Sequence, residues 1–306
     1  MGGTCVAADY LMAMQAALGW RVFCIDGIPW CRYGVATAMT IPLPEIHPVG
    51  WSHAERILRE SGCLLALFPT SVNTGVVCAQ HTLRDKAYAE GFLQRQFRQM
   101  LRRGEQHLTF RELTWDELAA KGPGTLEAYR SRQGMKAPVA KQAWREACEK
   151  GEAAAEFVVF GCTHGDELAG FEIFWRRPTG YQSVCTVVHP GFFKFGAANL
   201  LLYSSGRTLI AQSDCAYVNF GRSGIPAIQG HDRFHRHAGL TAEPLHMAAV
   251  LHPRLRWLAA VDGGDAHGGH RHHHAGTLGR VCARPGVEAD RRQEALTVGA
   301  GRPPGQ

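Results

Sequence analysis

The stretch HDRFHRHAGL, from His231 to Leu240, places three histidines, two arginines and one aspartate within ten positions. Imidazole groups bind transition metals and exchange protons near neutral pH, so this composition permits a metal centre or acid–base chemistry. In a helix, His231 and His235 share one face and His237 does not, so a metal site needs a further ligand from elsewhere in the chain. The alternative is the polar end of a helix that stops at Gly239, and we predict no bound metal.

A second candidate for binding chemistry is the small-residue turn in the stretch HPGFFKFGAANLLLY, residues 189–203. Gly196, Ala197 and Ala198 have minimal side chains, which lets a ligand approach the backbone N–H groups at the start of the predicted helix. These unpaired donors and the helix dipole favour phosphate, and Lys194 adds a positive charge. Close packing of the helix requires the same small residues, so both interpretations stay open.

A third group of histidines, HGGHRHHH at residues 267–274, lies in a segment of different composition. Residues 259–306 are mainly Gly, His, Arg, Ala and Pro, with few large aliphatic side chains. Such a segment cannot bury enough apolar surface to offset the entropy of ordering it. We therefore predict a disordered tail, whose histidines bind metals at most adventitiously.

Two other polar clusters have simpler structural interpretations. The turn residues 164–166, between two apolar runs, are typical of a β-hairpin. Arg95, Arg98 and Arg102 form a basic stripe on one face of a predicted amphipathic helix. That stripe is either a solvated face or an anion-binding edge.

The overall composition is that of an ordinary globular protein. Of the 306 residues, 45% are hydrophobic and 20% charged, which is enough for a sizeable core. The net charge of +6 permits an anionic ligand, but no aromatic platform accompanies the basic helix, so DNA binding is not expected. The ten cysteines form no C-x-x-C pair, which favours free thiols in a reducing compartment. Without an apolar run of eighteen residues or a signal-like N-terminus, we expect a cytoplasmic protein that does not span a membrane.

The elements that must position these residues fall into two blocks. Residues 1–110 predict a helix at 9–18, strands at RVFCI, VATAMTI and CLLALFP, a helix at WSHAERILRESG with Ser52 as its cap, and the basic helix. Residues 111–258 predict two helices, a hairpin, a strand, a helix at the small-residue turn, and then a strand, a helix and a strand. This order is typical of an α+β protein in which helices flank a mixed central sheet.

Three stretches in this order resemble the N-acetyltransferase (GNAT) fold, and in particular the Fem-type branch, in which two such modules occur in tandem. The stretches are VVHPGFFKFGAANLLLY, YVNFGRSGIPAIQGHDRFHRHAGLTAEPLHMAAVLHP and FLQRQFRQMLRRGEQHLTFREL. They are similar to the family's central strand with its Gly-rich turn and helix, to its closing strand–helix–strand, and to the Arg-rich helix that joins the modules. The resemblance implies one module at 1–110, whose completeness the sequence leaves open, a second at 111–258, and the tail at 259–306.

The resemblance implies transfer of an acyl group to an amine on a small molecule, sugar or peptide. The implied donor is acetyl-CoA or another acyl-CoA, and the Fem-type alternative is an aminoacyl-tRNA. The donor-binding positions implied by the family are Val187, Val188, Lys194, Gly196, Ala197, Ala198 and Asn199. The usual turn is R/Q-x-x-G-x-G/A, and Phe193 stands where Arg or Gln is expected. This departure makes a catalytically degenerate binding module the alternative function.

The family also implies where catalytic side chains would lie. The position four residues before the final Gly of the closing helix is His235, where single-module relatives often have Tyr and Fem-type relatives often Lys. A histidine there would protonate the leaving group or, when charged, stabilise an oxyanion. Asp232 and Tyr217 are the other candidate catalytic residues, and Arg233 is the candidate substrate contact.

Overall fold

The structure, a computed structural model, describes residues 3–33, 36–41, 46–47, 49–71, 75–135, 138–223 and 229–255. The predicted tail at 259–306, with its histidines, lies outside the described residues.

Eleven strands occur in the described residues. They are β1 (Arg21–Ile25), β2 (Ile28–Tyr33), β3 (Thr37–Thr40), β4 (Leu65–Pro69), β5 (Val76–Leu83), β6 (Thr109–Glu112), β7 (Phe157–His164), β8 (Glu167–Arg177), β9 (Gly180–Val188), β10 (Tyr217–Arg222) and β11 (Thr241–Leu251). The α-helices of the same ranges are α1 (Gly3–Ala17), α2 (Trp51–Ser61), α3 (Arg95–His107), α4 (Trp115–Arg132), α5 (Lys141–Ala153), α6 (Ala197–Ile210) and α7 (Gln229–His237). Short 3-10 helices lie at Glu90–Phe92, Pro190–Phe195 and Pro253–Leu255.

All eleven strands belong to one mixed sheet in the order β1-β2-β3-β4-β11-β5-β10-β9-β8-β7-β6. The pairs β3–β4 and β9–β10 are parallel, and the other pairs are antiparallel. The predicted α+β class, with helices flanking a mixed central sheet, is confirmed.

The sheet is continuous across the two predicted modules. The last strand, β11, lies between β4 and β5, and β5 lies between β11 and β10. The strand β5, which comes before residue 110, therefore lies between two strands that come after residue 111. The division of the chain at residue 110 stays a prediction.

Helices cover both faces of the sheet because apolar side chains alternate along the strands. On β11, Met247 and Ala249 join a core with α1, α4 and α5, whereas Val250 joins a core with α2 on the opposite face. The third core lies between the sheet and the helices α3 and α6, and Phe234 of α7 packs against it. No helix of the described residues is both long enough and apolar enough to cross a membrane.

Local sequence signals explain several element boundaries. Thr114 caps α4: its Oγ1 accepts from the Glu117 N–H at 3.2 Å, and the Glu117 carboxylate accepts from the Thr114 N–H at 3.1 Å. The predicted Ser52 cap of α2 is wrong. The helix already begins at Trp51, after the extended residue Gly50, and no side chain caps it.

Trp144 anchors the helical layer over β8. Its indole is fully buried, donates from Nε1 to the Leu118 carbonyl oxygen at 3.1 Å, and meets the Phe171 ring edge-on at 5.7 Å. Gly122 lies under the indole, where a Cβ would be 2.6 Å from the ring. This contact ties α4 and α5 to the strand segment beside Glu172.

Candidate functional site

The centre of the sheet opens where β9 and β10 diverge. The two parallel strands pair at three positions, ending with Asn219 opposite Gln182, and within these two fully described strands no pairing continues beyond that point. An irregularity in the β8–β9 register leaves Val184 as an extra residue there. A cavity of about 240 Å³ occupies the gap, with Ser183 and Val184 on one side and Gly221 and Arg222 on the other.

The N-terminal part of the chain closes this cavity. Leu11 and Gln15 of α1, and Met39 and Thr40 of β3, contribute to its wall. The polar lining from the central strands is Gln80, Gln182, Ser183 and Asn219. The cavity therefore has an apolar wall and a small set of convergent polar groups, which is the usual make-up of a ligand site.

Arg222 brings a positive charge to the cavity, and its recorded partners among the described residues are neutral. Its Nη1 donates to the Ser223 carbonyl oxygen at 2.9 Å, and its Nη2 lies 3.2 Å from the Met39 sulfur, a weak acceptor. Its Nε is buried and has no hydrogen-bond partner in the described part of the chain. A guanidinium with unused donors beside a cavity favours a carboxylate or phosphate as ligand.

Glu172 is a buried carboxyl group directly behind the cavity wall. Ser183 and Thr186 donate to its Oε1 at 2.8 and 2.9 Å, and Ser205 of α6 donates to its Oε2 at 3.1 Å. Burial raises the pKa of the Glu172 carboxyl to about 7, although the three hydroxyl groups lower it. Because Ser183 also lines the cavity, its hydroxyl links the cavity to a buried carboxyl group whose pKa is raised to about 7.

The small-residue turn precedes α6 at the end of β9. Gly196 has a φ of +79°, and a Cβ there would meet the Met100 carbonyl oxygen of α3, so close helix packing accounts for this glycine. Ala197 is buried, whereas Ala198 and Asn199 are half-buried. The first turn of α6 has neither a side-chain cap nor an acidic residue. Its N–H donors therefore remain suited to an anion at the half-buried positions.

Positive charge surrounds this turn. The Arg132 guanidinium at the end of α4 lies over the Phe193 ring at 4.4 Å, and the Lys194 ammonium lies over the Phe195 ring at 4.8 Å. Arg103 of α3 also faces Phe195, at 5.9 Å. A guanidinium thus reaches the turn at the position where Phe193 replaces the expected arginine.

The histidines predicted on α7 meet a partner from β5. His81 stacks on His235 with ring centroids 4.4 Å apart, and His231 lies 4.3 Å from His235. The Asp232 carboxylate contacts His81 Nε2 at 3.1 Å and accepts from Ser223 Oγ at 2.6 Å. We call His81, His231 and His235 the histidine cluster.

The electrostatics of the histidine cluster favour neutral rings at His81 and His235. Burial lowers the pKa of His235 to about 3, and the charge of His231 acts in the same direction. Burial also lowers the pKa of His81, although Asp232 opposes this effect. Burial alone would raise the pKa of the Asp232 carboxyl, but hydrogen bonds from Ser223 and His81 hold it below its usual value.

The other predicted site residues occupy different positions. Val187 and Val188 are buried on β9 opposite Phe171 and Gly170 of β8. Tyr217 lies at the paired end of β10, beneath the Arg84 guanidinium, and not where the strands diverge. Arg233 is exposed, with its Nε 3.4 Å from His237 Nε2.

Three residues of this region were not identified from sequence: His81, Glu172 and Arg222. His81 and Arg222 are isolated polar residues whose partners lie far along the chain, so no spacing indicates them. Glu172 lies in the apolar run FEIFW, and a lone carboxyl group in a buried strand was a usable indication, because burial without partners is unfavourable.

Comparisons with known proteins agree with this architecture. Residues 91–236, just under half of the 306 residues, match a family model described as an acetyltransferase (GNAT) domain. A crystal structure of the C-terminal domain of a protein described as a lysylphosphatidylglycerol synthetase, from Agrobacterium fabrum, is similar with a TM-score of 0.53 and 12% identity. The similarity covers 85% of this chain and 94% of that chain. FemX is similar with a TM-score of 0.50 and 8% identity, over 78% of this chain and 90% of that chain. No curated protein matches the sequence significantly.

The chain therefore has a GNAT-like fold of the Fem type. The resemblance stated from the sequence is confirmed at the level of the fold.

Proposed function

We propose that this protein transfers an acyl group from a thioester donor to an amine held in the cavity between β9 and β10. One observation carries the proposal: two parallel central strands of a GNAT-like sheet separate, and the cavity between them has polar groups on both sides. Transfer of an acyl group to an amine requires orientation of the two reactants, a proton acceptor and a group that stabilises the oxyanion. Residues of the cavity, and of the strands and helices beside it, are proposed to fill these roles.

The donor is proposed to be an acyl-CoA whose phosphates lie at the start of α6. Lys194 and Arg132 supply positive charge there, and Ala198 and Asn199 offer backbone N–H groups. On β9, the backbone N–H of Val187 or Val188 is proposed to donate a hydrogen bond to the acyl carbonyl oxygen.

Glu172 is proposed to accept the proton of the acceptor amine through Ser183. The amine nitrogen forms a bond to the thioester carbonyl carbon, and the carbon–sulfur bond breaks. The amine proton passes to Ser183 Oγ, whose own proton passes to the Glu172 carboxylate. The thiolate that leaves takes a proton from His235 Nε2, which has first taken that proton from solvent water, and His235 thus stays the proposed donor.

The tautomer of His235 limits that role. His235 Nδ1 faces the His231 carbonyl oxygen at 2.9 Å, so Nδ1 carries the hydrogen and Nε2 has a free lone pair. Proton donation from Nε2 then requires that a proton first reach it. If His235 is the donor, His235→Ala lowers turnover by about tenfold to a thousandfold, whereas His237→Ala, on the same helix, leaves turnover near the original value. Equal turnover in the two variants would remove His235 from the mechanism.

The acceptor is proposed to carry a negative charge besides its amine. Arg222 has unused donors at the cavity wall, and the neutral amides of Gln80, Gln182 and Asn219 line the same cavity. A carboxylate on the acceptor would satisfy these donors in bidentate fashion.

The proposal is tested by incubating the protein with a panel of acyl-CoA thioesters and following the release of free thiol. The acceptors are matched pairs of small amines that differ in one carboxylate. Thiol release that depends on the amine, and that is faster with the carboxylate, supports the proposal. If no thioester is turned over and none raises the melting temperature, CoA-dependent transfer is wrong. Transfer from an aminoacyl-tRNA would then be assayed, and thioester binding without turnover would indicate a degenerate binding module.

Replacing Arg132 tests the donor site separately. Arg132→Ala is expected to raise KM for the acyl-CoA by about tenfold with little change in kcat, because a charge-assisted contact to phosphate contributes on the order of 1.5–3 kcal/mol to binding. The exposed residue Arg59, at the end of α2, provides the matched control Arg59→Ala. A KM for Arg132→Ala equal to that of the control would place the phosphates elsewhere.

A further inference from the structure

Three imidazole rings from distant parts of the sequence converge where α7 packs on β5. One ring nitrogen from each of His81, His231 and His235 lies within 4.8 Å of one from each of the other two. The ring centroids are 4.3–5.6 Å apart. We propose that the histidine cluster binds a divalent transition-metal ion of the zinc type.

The distances suit such an ion after a small adjustment. A tetrahedral zinc ion with bonds of about 2.0–2.1 Å holds its nitrogen ligands about 3.3 Å apart. The observed separations therefore contract by no more than about 1.5 Å on this estimate. The rings of His81 and His235, which are parallel to within 6°, must turn about their χ2 angles so that both lone pairs point to the ion.

The hydrogen bonds leave one ring nitrogen with a free lone pair on each of His81 and His235. Because the Asp232 carboxylate accepts at 3.1 Å, His81 Nε2 carries the hydrogen, and Nδ1 has the lone pair. His81 is 1% exposed, and its Nδ1 has no hydrogen-bond partner among the described residues. His235 likewise donates from Nδ1 to a carbonyl oxygen and leaves Nε2 free. His231 Nδ1 is buried and lies 3.6 Å from the Asp232 carboxylate, beyond hydrogen-bond distance, so either ring nitrogen of His231 is available to an ion.

These partners are also those that orient metal-binding histidines in proteins. A ligating histidine usually donates its second N–H to a carboxylate or a backbone carbonyl, which fixes the tautomer and increases the basicity of the ligand. Asp232 does this for His81, and the His231 carbonyl does it for His235. Ser223 in turn holds Asp232 through a hydrogen bond of 2.6 Å. Without a bound metal ion, buried ring nitrogens that make no hydrogen bond would be unfavourable.

On α7, His231 and His235 form the i, i+4 pair that the sequence indicates. On β5, His81 provides the further ligand that a metal site needs. The His231 side chain is 40% exposed, so an ion can enter from that side and keep a water molecule as its fourth ligand. The proposal does not depend on acyl transfer. A metal ion on His235 would use the lone pair that the proposed proton transfer requires, so in the metal-bound protein the leaving thiolate takes its proton directly from water and not from His235.

The experiment measures zinc content and must separate this cluster from the histidines at 267–274. The full-length chain is prepared with His267, His270, His272, His273 and His274 replaced by asparagine, and this parent is compared with three further variants in the same background. His231→Asn removes a partly exposed ligand, Asp232→Asn weakens the support of His81, and His237→Asn is the matched control on the same helix. Zinc is measured by elemental analysis after dialysis, and affinity by competition with a chromophoric chelator. Circular dichroism verifies that each variant is folded.

We expect one equivalent of zinc in the parent and in His237→Asn. Asp232→Asn is expected to bind about 10–100-fold more weakly, and His231→Asn more weakly still. The parent loaded with Co²⁺ should show the intense visible absorption of a tetrahedral site. Variants that have lost zinc binding should not show it. A folded parent that holds no zinc, or a His231→Asn variant that binds it as tightly as the parent, would overturn the proposal.

Discussion

Replacing Glu172 with glutamine is expected to lower turnover by about a hundredfold to ten-thousandfold, because it removes the proposed proton acceptor while keeping the shape of the side chain. Glutamine can still accept hydrogen bonds from Ser183 and Thr186 through its amide oxygen. The loss should appear in kcat more than in KM, since Glu172 lies behind Ser183 and is proposed to act on the substrate only through that hydroxyl.

The pH dependence distinguishes a proton acceptor from a structural residue. The Glu172 carboxyl must be ionised to accept a proton, and its pKa is raised by burial to about 7, so kcat of the original protein should rise with pH through about 7. Ser205→Ala removes a hydroxyl that stabilises the carboxylate, and the rise should therefore move to higher pH. A Glu172→Gln variant that keeps the original rise would show that another group titrates.

The same carboxyl group links stability to pH. Its pKa in the folded protein, about 7, is higher than the ordinary value of 4.5, so the folded state binds the proton more tightly than the unfolded state does. The resulting stabilisation is fully present below about pH 4.5 and is lost as the pH rises through about 7, a change of about 3 kcal/mol. In Glu172→Gln this part of the pH dependence should disappear from the free energy of unfolding, measured with urea at pH 5 and pH 8.

Trp144→Ala is expected to lower the free energy of unfolding by about 3–5 kcal/mol, the largest stability effect that we predict. The indole is fully buried between α4 and β8, and its removal leaves a cavity beside Phe171 and Gly122. Urea unfolding followed by circular dichroism measures the effect.

Two comparisons control this measurement. Gln142→Ala changes an exposed residue of the same helix and should stay within about 0.5 kcal/mol of the original value. Trp144→Phe keeps an aromatic ring and should give an intermediate loss. If Trp144→Ala unfolds with the free energy of the Gln142→Ala control, then α5 does not pack on the sheet through this residue.

Local patterns in the sequence were sufficient to predict much of the fold. The hairpin of β7 and β8 follows from apolar runs on either side of Gly165, whose φ of +58° suits a glycine turn. The start of α4 also depends on near neighbours, because the capping box that the structure shows there joins Thr114 and Glu117, only three positions apart. These features depend on neighbours in the chain, which is why they can be predicted from sequence.

The candidate site depends instead on contacts between distant residues. His81 and Asp232 are 151 residues apart, and no spacing in either segment indicates that they meet. Arg132 reaches Phe193 from another helix, so the departure from the family's turn looked like a lost charge in sequence alone. The divergence of β9 and β10 is a property of the sheet and has no local pattern.

The position of β11 in the sheet has a consequence for the order of folding. Gln80 and Glu243, which meet where β5 pairs with β11, are 163 residues apart, so the strand that joins the two halves of the sheet is synthesised long after its neighbours. Until then, β4 and β5 present unpaired edges that could associate with other chains. Closing so long a loop also slows folding. A chain that ends before residue 241 should therefore accumulate as aggregates during synthesis, even though almost all of the helices are already present.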